Sequence, residues 1–462
     1  VAFATTLCAG AAHALPGQLD LGYGDNGVFV IGNGGSQERI DALLPASGGR
    51  VLAAGALYRM RDDQGGTAGN DMAVLRLRND GSLDDTFGTG GIARINAGDG
   101  DSQGAYDIVR QPDGKLLVAG MLEFVSYTDA AIARLLPDGT LDTSFGNAAD
   151  GGGRTGFRTI NLGDDEFSHE EARGVLLQST GKAVLAARAP SPVSGSYAHF
   201  TLTRVDANGD VDPTFGGGTG KVVTPTLLPE TYEYVNGVAR SAIDTTPTNN
   251  RILVFGYIAH RSRALMRRYL PDGAPDASFG TGGTVVVEDV AVGGVRTGMS
   301  SIEDAVILRD GRILAAGTAS DRGFVVIRFQ PNGTVDTSFG SNGRVLVKIS
   351  DGSQYDEAYA LTVQRNGAII VTGYGTTQTA GAPRKDFMVV RLRSNGQRDA
   401  AFGDNGVVTY PMSDDGDTAY AVRVLGNGRI VVAGEALVGN TYDMAVLGLQ
   451  GDPDIFADGF ED

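Results

Sequence analysis

The sequence predicts an all-β fold, a seven-bladed β-propeller with four antiparallel strands per blade. Three observations predict it. A D-x-x-[FY]-G core recurs seven times along the 462 residues, the units between cores carry short β-branched runs, and no segment sustains a long apolar stripe of helical period. The cores are Asp20–Gly24, Asp84–Gly88, Asp142–Gly146, Asp212–Gly216, Asp276–Gly280, Asp336–Gly340 and Asp399–Gly403. Their aromatic residues stand 58 to 70 positions apart, so seven units of similar length fill the chain. A ring of such units buries blade faces against neighbours and leaves only short edges, whereas the rungs of a linear β-solenoid are much shorter.

Four strand signals recur in order within a unit. The first follows the F-G pair, as in "GVFVI" (27–31) and "GRVLV" (343–347). The second precedes a turn, as in "YDIVRQ" (106–111), "EDAVILR" (303–309), "YALTVQ" (359–364) and "YAVRVL" (420–425). The third is the plainest, with "GRVLAAG" (49–55), "GKLLVAG" (114–120), "GRILAAG" (311–317) and "GRIVVAG" (428–434). The fourth includes "MAVLRL" (72–77), "AIARL" (131–135) and "MVVRL" (388–392). All are short, rich in β-branched residues and bounded by Gly, Asn or Asp, which is how strands are punctuated. Glycine, 69 of 462 residues, is about twice its usual share, which fits a chain with many tight turns.

The phase of the repeat predicts how the ring closes. The chain opens on the end of a unit, "GQLDLGYGDNG" (17–27), and the last unit stops after "MAVLGLQGD" without a D-x-x-F-G of its own. Residues 17–27 are therefore expected to pack beside 443–451. The domain plan is a signal-peptide remnant at 1–14, a propeller over 15–450 and an acidic tail over 451–462. The first stretch, "VAFATTLCAGAAHA", is small and apolar like the core and cleavage site of a secretory signal peptide. It holds the single cysteine, Cys8, so the mature chain is expected to fold without disulfides.

The units resemble the delta-60 repeat family in "PDGKLLVAG" (112–120), "DAAIARL" (129–135) and "PDGTLDTSFG" (137–146). The resemblance extends over essentially all of Leu15–Gln450 and implies a secreted bacterial repeat protein, periplasmic or at the cell surface, with no general activity to carry over. The third unit departs most, with Ala187 where the strand-ending glycine belongs.

The D-x-x-F-G turn looks like a ligand loop but reads better as a structural fastener. An arginine stands eight residues before six of the seven turn aspartates, as Arg76/Asp84, Arg134/Asp142, Arg204/Asp212, Arg268/Asp276, Arg328/Asp336 and Arg391/Asp399. A partly buried ion pair, bidentate in geometry, is expected across each turn. The last unit has Gly448 in place of the arginine, so Asp20 is expected to lack a partner and that junction to be the weakest. A calcium loop needs oxygen ligands at fixed alternate positions and a late glutamate, which these turns do not supply.

Function is expected on the opposite face, where the one-to-two and three-to-four loops vary. The one-to-two loops concentrate Asp99, Asp101, Asp164, Asp165, Asp351, Asp356, Asp414, Asp415 and Asp417. Hard oxygen ligands of this kind suit Ca2+, the one cofactor the sequence suggests; the alternative is a set of solvated acidic loops. His260, Arg261 and Arg263 form a basic patch that reads as a solvated loop or, alternatively, as a contact for an anion or an acidic glycan. His169, His199 and His260 are far apart in sequence, and there is no nucleophile elbow or phosphate loop. Tryptophan is absent, although 15 tyrosines can take its place in stacking. A net charge of −17 argues against nucleic acid and anionic membranes. The tail "IFADGFED" resembles the ends of exported proteins in some gammaproteobacteria; it reads as a sorting tag or as a frayed acidic terminus.

The reading is of an exported, monomeric propeller that binds a protein or glycan on its variable face, with no evident catalytic constellation and no transmembrane segment. The alternatives are an extracellular glycan-acting hydrolase or lyase using acidic loop residues, and a purely structural envelope protein.

Overall fold

Short strands separated by tight glycine turns have no long-range route to a core except by stacking on one another, and the chain does this in a closed circle. The computed structural model describes residues 15–452 apart from 36, 61–67, 97–102, 125–126, 150–151, 163–168, 191–197, 228–231, 242–249, 260–262, 288–290, 293–294, 297, 320–322, 350–355, 380–381 and 414–415. The inner strands of the seven blades are Arg39–Ala46, Gly104–Arg110, Glu171–Leu177, Glu233–Val238, Met299–Ile307, Glu357–Val363 and Asp417–Val424. Each blade continues outward through two longer strands to a short outer strand, the run that follows the F-G pair. Among the described residues the helical pieces are single 3-10 turns, Ser47–Gly49 and Gly216–Gly218.

The seventh blade borrows its outer strand from the start of the chain. Val28–Ile31 pairs antiparallel with Thr441–Leu449, in register from Val28 against Leu447 to Ile31 against Met444. Before it, Gly17 and Gln18 exchange backbone hydrogen bonds with Gln450, and Leu19 bridges Leu449. The predicted closure is present. Apolar clusters fill all seven blade junctions, including the closing one, where Tyr23 and Leu43 meet Val431 and Val446.

The recurrent turn joins neighbouring blades by three contacts. The glycine after each aromatic donates its N–H to a turn carbonyl of the next blade, as Gly88 to Asp138 (2.7 Å), Gly280 to Asn332 (2.8 Å) and, across the closure, Gly24 to Asp80 (2.6 Å). The aromatic ring lies beneath that same turn. A Cβ on Gly139, at φ +88°, would stand 2.9 Å from the ring of Phe87, so only glycine fits there. The arginine supplies the third contact. Arg328 places Nε 2.7 Å from Asp336, Nη2 on Ser338 and Nη1 on the Ser394 carbonyl of the next blade, with its guanidinium 4.7 Å from the Phe339 ring centre. Arg76/Asp84, Arg134/Asp142, Arg204/Asp212 and Arg268/Asp276 repeat this arrangement at 2.7–2.8 Å. The fork is divided among three acceptors, so the geometry is not the bidentate one expected.

The closing turn differs from expectation. Asp20 does have a cation, because Arg429, just before the neighbouring strand Ile430–Val438, forms an ion pair with it at 2.5 Å and lies 5.0 Å from the Tyr23 ring centre. Gly448 is what allows this: a Cβ there would stand 2.7 Å from Tyr23. The same strand position supplies a second cation in five other blades, with Arg50, Lys115, Lys182, Arg251 and Arg312 all within 3.2 Å of the turn aspartate. The sixth blade has Ala368 there instead. Its Arg391 pairs with Asp399 at 2.8 Å and with Asp452 of the tail at 3.0 Å.

Hydrogen bonds dominate the ionisation of these aspartates. Burial pushes the carboxyls of Asp142, Asp212 and Asp336 up, but bonds from the following Ser or Thr and from the paired cations hold them well below the usual carboxylate range. A carboxyl depressed in the folded state adds stability that is complete above its unfolded pKa of about 4 and lost as pH falls below it. Urea melts should therefore show a steep decline in free energy as pH falls below about 4, the contribution of these turns being constant above it. Asp336→Ala should lower stability by about 1.5–3 kcal/mol at neutral pH and leave ligand binding intact.

Candidate functional site

The central channel is lined by residues that a single backbone irregularity brings inward. Every inner strand carries a β-bulge near its start, between Ile40 and Ala42 in the first blade and at the matching step in the other six. The strand-ending glycine of the adjacent strand accommodates it. A Cβ on Gly55, Gly120, Gly256, Gly317, Gly373 or Gly434 would fall 1.8–2.0 Å from a carbonyl oxygen of the inner strand. The third blade keeps its bulge with Ala187 at that position. The bulged residues are Asp41, Tyr106, Arg173, Asn236, Glu303, Tyr359 and Tyr420. They alternate poorly with their neighbours in the usual two-residue period, because a bulge re-aims one side chain.

Asp41, Tyr106, Arg173, Asn236 and Glu303 line a cavity of about 260 Å³, which extends down the channel to Thr362 and Arg423. By topology the bulges lie toward the variable-loop face, where each inner strand begins. At the other end the fourth blade contributes an unusual floor. Its connection from Val238 to Ile252 is long, and Arg240–Ser241 pairs in parallel with Val306–Ile307 of the fifth inner strand. That edge faces the channel, so the added backbone narrows it into a funnel.

The mouth is held by polar and aromatic contacts. Arg39 pairs with Asp41 at 3.0 Å and lies 5.8 Å from the ring centres of both Tyr106 and Tyr420. Arg173 pairs with Glu171 at 2.5 Å and sits 4.0 Å over Tyr106. Tyr359 meets Tyr420 edge to face at 5.0 Å, and Tyr234 stacks on Tyr257 at 5.0 Å. Glu303 accepts from Asn236 at 3.0 Å and from the Ser301 hydroxyl. Glu357 accepts from the Tyr359 hydroxyl at 2.8 Å.

Burial, reinforced by the charge of Glu357, outweighs the Ser301 bond and pushes the Glu303 carboxyl up to about 7. A carboxyl raised on folding contributes stability below its ordinary value of 4.5, and that stability is lost as pH rises through about 7. Glu303→Gln should therefore raise the melting temperature at about pH 8 and leave it unchanged at about pH 5, as read by calorimetry.

The residues singled out in the sequence are dispersed. The arginine–aspartate pairs lie on the uniform face, away from the funnel mouth. Asp356 and Asp417 are buried, with their oxygens turned onto backbone N–H groups of Ile349 and Thr376, and of Met412 and Ser413. They anchor loops instead of facing solvent. Asp99, Asp101, Asp164, Asp165, Asp351, Asp414, Asp415, His260 and Arg261 lie outside the described residues; Arg263 is exposed at a strand start. His199 is buried against Thr224 and His169 lies by Thr128, so these two do not converge. Among the described residues no three His, Cys, Asp or Glu side chains are grouped to hold a metal, and no helix is long and apolar enough to cross a membrane. Sequence reasoning missed the ring itself, although four of the quoted second-strand runs begin on or beside its members.

Comparison with known proteins agrees with this architecture. The profile described as a domain of unknown function (DUF5122) β-propeller matches five segments, 64–87, 111–145, 248–279, 308–339 and 364–402. The chain is a repeat β-propeller. The propeller is similar in fold to virginiamycin B lyase from Staphylococcus aureus, at 10% identity and a TM-score of 0.46, covering 91% of this chain and 98% of that one. It is similar to an alpha-L-arabinanase from Penicillium chrysogenum, at 10% identity and a TM-score of 0.44, covering 93% and 98%. The polysaccharide lyase Uly1 gives 9% identity and a TM-score of 0.44, covering 95% and 97%. No curated protein matches the propeller.

Proposed function

We propose that the chain is an exported propeller of the delta-60 repeat type that works as a monomeric binding scaffold, with its ligand entering the funnel from the variable-loop face. The observation that carries this reading is the ring of bulged side chains. Seven blades use the same backbone device for five residue types, Asp, Tyr, Arg, Asn and Glu, and the bulged residues of the first five blades line one cavity. Identical packing roles call for identical residues, as the turns demonstrate. A rigid frame presenting unlike polar and aromatic groups to a concave space is the composition of a small-ligand site. Tyrosine faces and planar polar groups suit a glycan or a polar segment of a protein partner.

A thermal-shift screen with Ca2+, with EDTA and with a panel of glycans tests the reading. A saturable upward shift with a glycan or another small polar compound supports it. A Ca2+-dependent shift would instead assign binding to the acidic loops. Turnover of a panel member would make the protein a hydrolase or lyase, and silence throughout would leave a structural envelope protein. Export is tested separately, by fractionating cells that express the native precursor.

A further inference from the structure

Resting on the reading that the funnel is the binding site, we infer that its ligand is uncharged: a polyhydroxylated ring of monosaccharide size, held by the neutral side chains of the cavity wall. Six charged residues line the cavity, Asp41, Asp107, Arg173, Glu303, Asp304 and Arg423. Each is already matched within the protein. Arg39 donates Nε to both oxygens of Asp41 at 3.0 Å, and Arg173 pairs with Glu171 at 2.5 Å. Asp107 accepts from the backbone N–H groups of Ile108 and of Val175 in the next blade, each at 2.9 Å. Asp304 repeats this between the fifth and sixth blades, accepting from Ala305 at 2.8 Å and Leu361 at 2.9 Å. Arg423 donates to the Val422 carbonyl at 2.7 Å, and the opposite charge of Asp304 acts on it. Glu303 accepts from Asn236 and Ser301, and burial pushes its carboxyl toward the neutral form against the charge of Arg173.

The neutral groups of the same wall are the ones left open. Tyr106, Asn236 and Thr362 line the cavity, and among the described residues the two hydroxyls and the Asn236 amide oxygen have no hydrogen-bond partner. The amide NH2 of Asn236 is engaged by Ser301, the Ile302 carbonyl and Glu303, so its oxygen is the acceptor that remains. Burial pushes the Tyr106 hydroxyl up to about 12, which keeps it a donor. Two hydroxyls that donate and accept, with one amide oxygen that accepts, match the hydroxyls of a sugar ring. Phe255, Val238 and Leu361 supply apolar surface for its C–H face. An ionic ligand would give up its hydration for a wall whose charges are already matched, which costs far more than burying a hydroxyl that finds its hydrogen bond. The cavity of about 260 Å³ accepts one such ring.

An extended peptide is the other neutral occupant, and the inner strands argue against it. A peptide held by strand addition needs free N–H and C=O groups along an exposed edge. In the first, third, fifth and sixth blades such groups already have partners. Arg110 donates to the Pro45 carbonyl at 2.7 Å and Asn236 to the Ile302 carbonyl at 2.9 Å. Asp107 and Asp304 take the N–H groups of Val175 and Leu361, and Arg240–Ser241 covers Val306–Ile307. Recognition is left to side chains, which suits a compact ring.

Sugars of one ring and different charge decide the matter: glucose, galactose and mannose, each with its amino sugar and its uronate. They are titrated by calorimetry and saturation-transfer NMR at about pH 6, where amine and carboxyl are both charged. For at least one of the three, the neutral sugar is expected to bind about tenfold tighter than either charged form. Tyr106→Phe and Thr362→Val should each weaken that binding about fivefold and leave the melting temperature unchanged. Arg39→Gln strips Asp41 of its cation and should bring the amino sugar level with the neutral one. If Arg39→Gln fails to fold, as read by circular dichroism, the wild-type series and Tyr106→Phe carry the test. A disaccharide of the binding sugar separates a free ring, bound with equal affinity, from the end of a glycan, bound more tightly; both results support the assignment. Equal or tighter binding of an amino sugar or uronate by the wild type overturns it while leaving the funnel as a site. A neutral sugar whose affinity neither Tyr106→Phe nor Thr362→Val changes also overturns it. So does absence of binding by every sugar in the series, and the thermal-shift screen with other polar compounds then judges the funnel independently.

Discussion

A Val30→Cys/Ala445→Cys variant is expected to form a disulfide spontaneously in air and to raise stability by about 4 kcal/mol. The two positions are directly opposed in the antiparallel pair that closes the ring. Opposed residues in such a pair have Cα atoms about 4.5–5.5 Å apart, within the span a disulfide bridges. They are separated by 415 positions in the chain, so the crosslink removes entropy from almost the whole unfolded molecule. Cys8 stands well before the closing strand and can be replaced by serine to keep the thiol chemistry unambiguous. Non-reducing electrophoresis reports the bond, and denaturant melts with and without reductant report its worth. A variant whose thiols stay free in the native state would mean that the termini do not pair.

Phe339→Ala is expected to cost about 3–5 kcal/mol, the second large effect. Phe339 is fully buried, stacked on the Arg328 guanidinium and roofed by Gly396 of the next blade, where even a Cβ would come within 2.9 Å of the ring. Removing the ring takes apolar surface from a junction that cannot collapse, since the backbone above it is pinned by the Gly340 to Asn395 hydrogen bond. Phe339→Leu should recover more than half of the loss, because it refills volume without restoring the stacked cation. Ligand binding in the funnel should be unchanged at temperatures where the variant is folded, because the turn lies on the opposite face.

What the sequence made legible and what it hid have the same physical origin. The turn residues have one role each in every blade, so Asp84, Phe87 and Gly88 recur at fixed spacing and announce the fold. Asp20 was harder to read because its cation, Arg429, is brought by strand pairing, in which Val431 lies opposite Gly448. Spacing along one strand does not reveal partners on the next. Arg50, Lys115, Lys182, Arg251 and Arg312 went unnoticed for the same reason, although each is the second residue of its strand-three run, directly after Gly or Asn.

The funnel was hidden for a different reason. A bulge breaks the two-residue alternation by which inward and outward residues are told apart, and the bulged residues differ chemically from blade to blade. Tyr106, Glu303, Tyr359 and Tyr420 therefore looked like the variable starts of strands. The acidic loops gave the opposite error at Asp356 and Asp417. Both belong to conspicuous clusters of negative charge, yet in the fold each carboxylate accepts from backbone N–H groups, those of its own loop and, for Asp356, also of Thr376 on the adjacent strand. Charge density marks acidity, and only the chain path shows whether an oxygen faces water.

The most direct measurement on this account is the affinity of Thr362→Trp for the tightest-binding compound of the screen. Thr362 lines the funnel below the bulged ring, and no fastener passes through it. An indole there fills the space a ligand would occupy while leaving the blade junctions as they are. The account predicts a loss of affinity of about tenfold or more with an unchanged melting temperature for the free protein. Unaltered affinity would contradict it and would move binding from the channel to the loops around it.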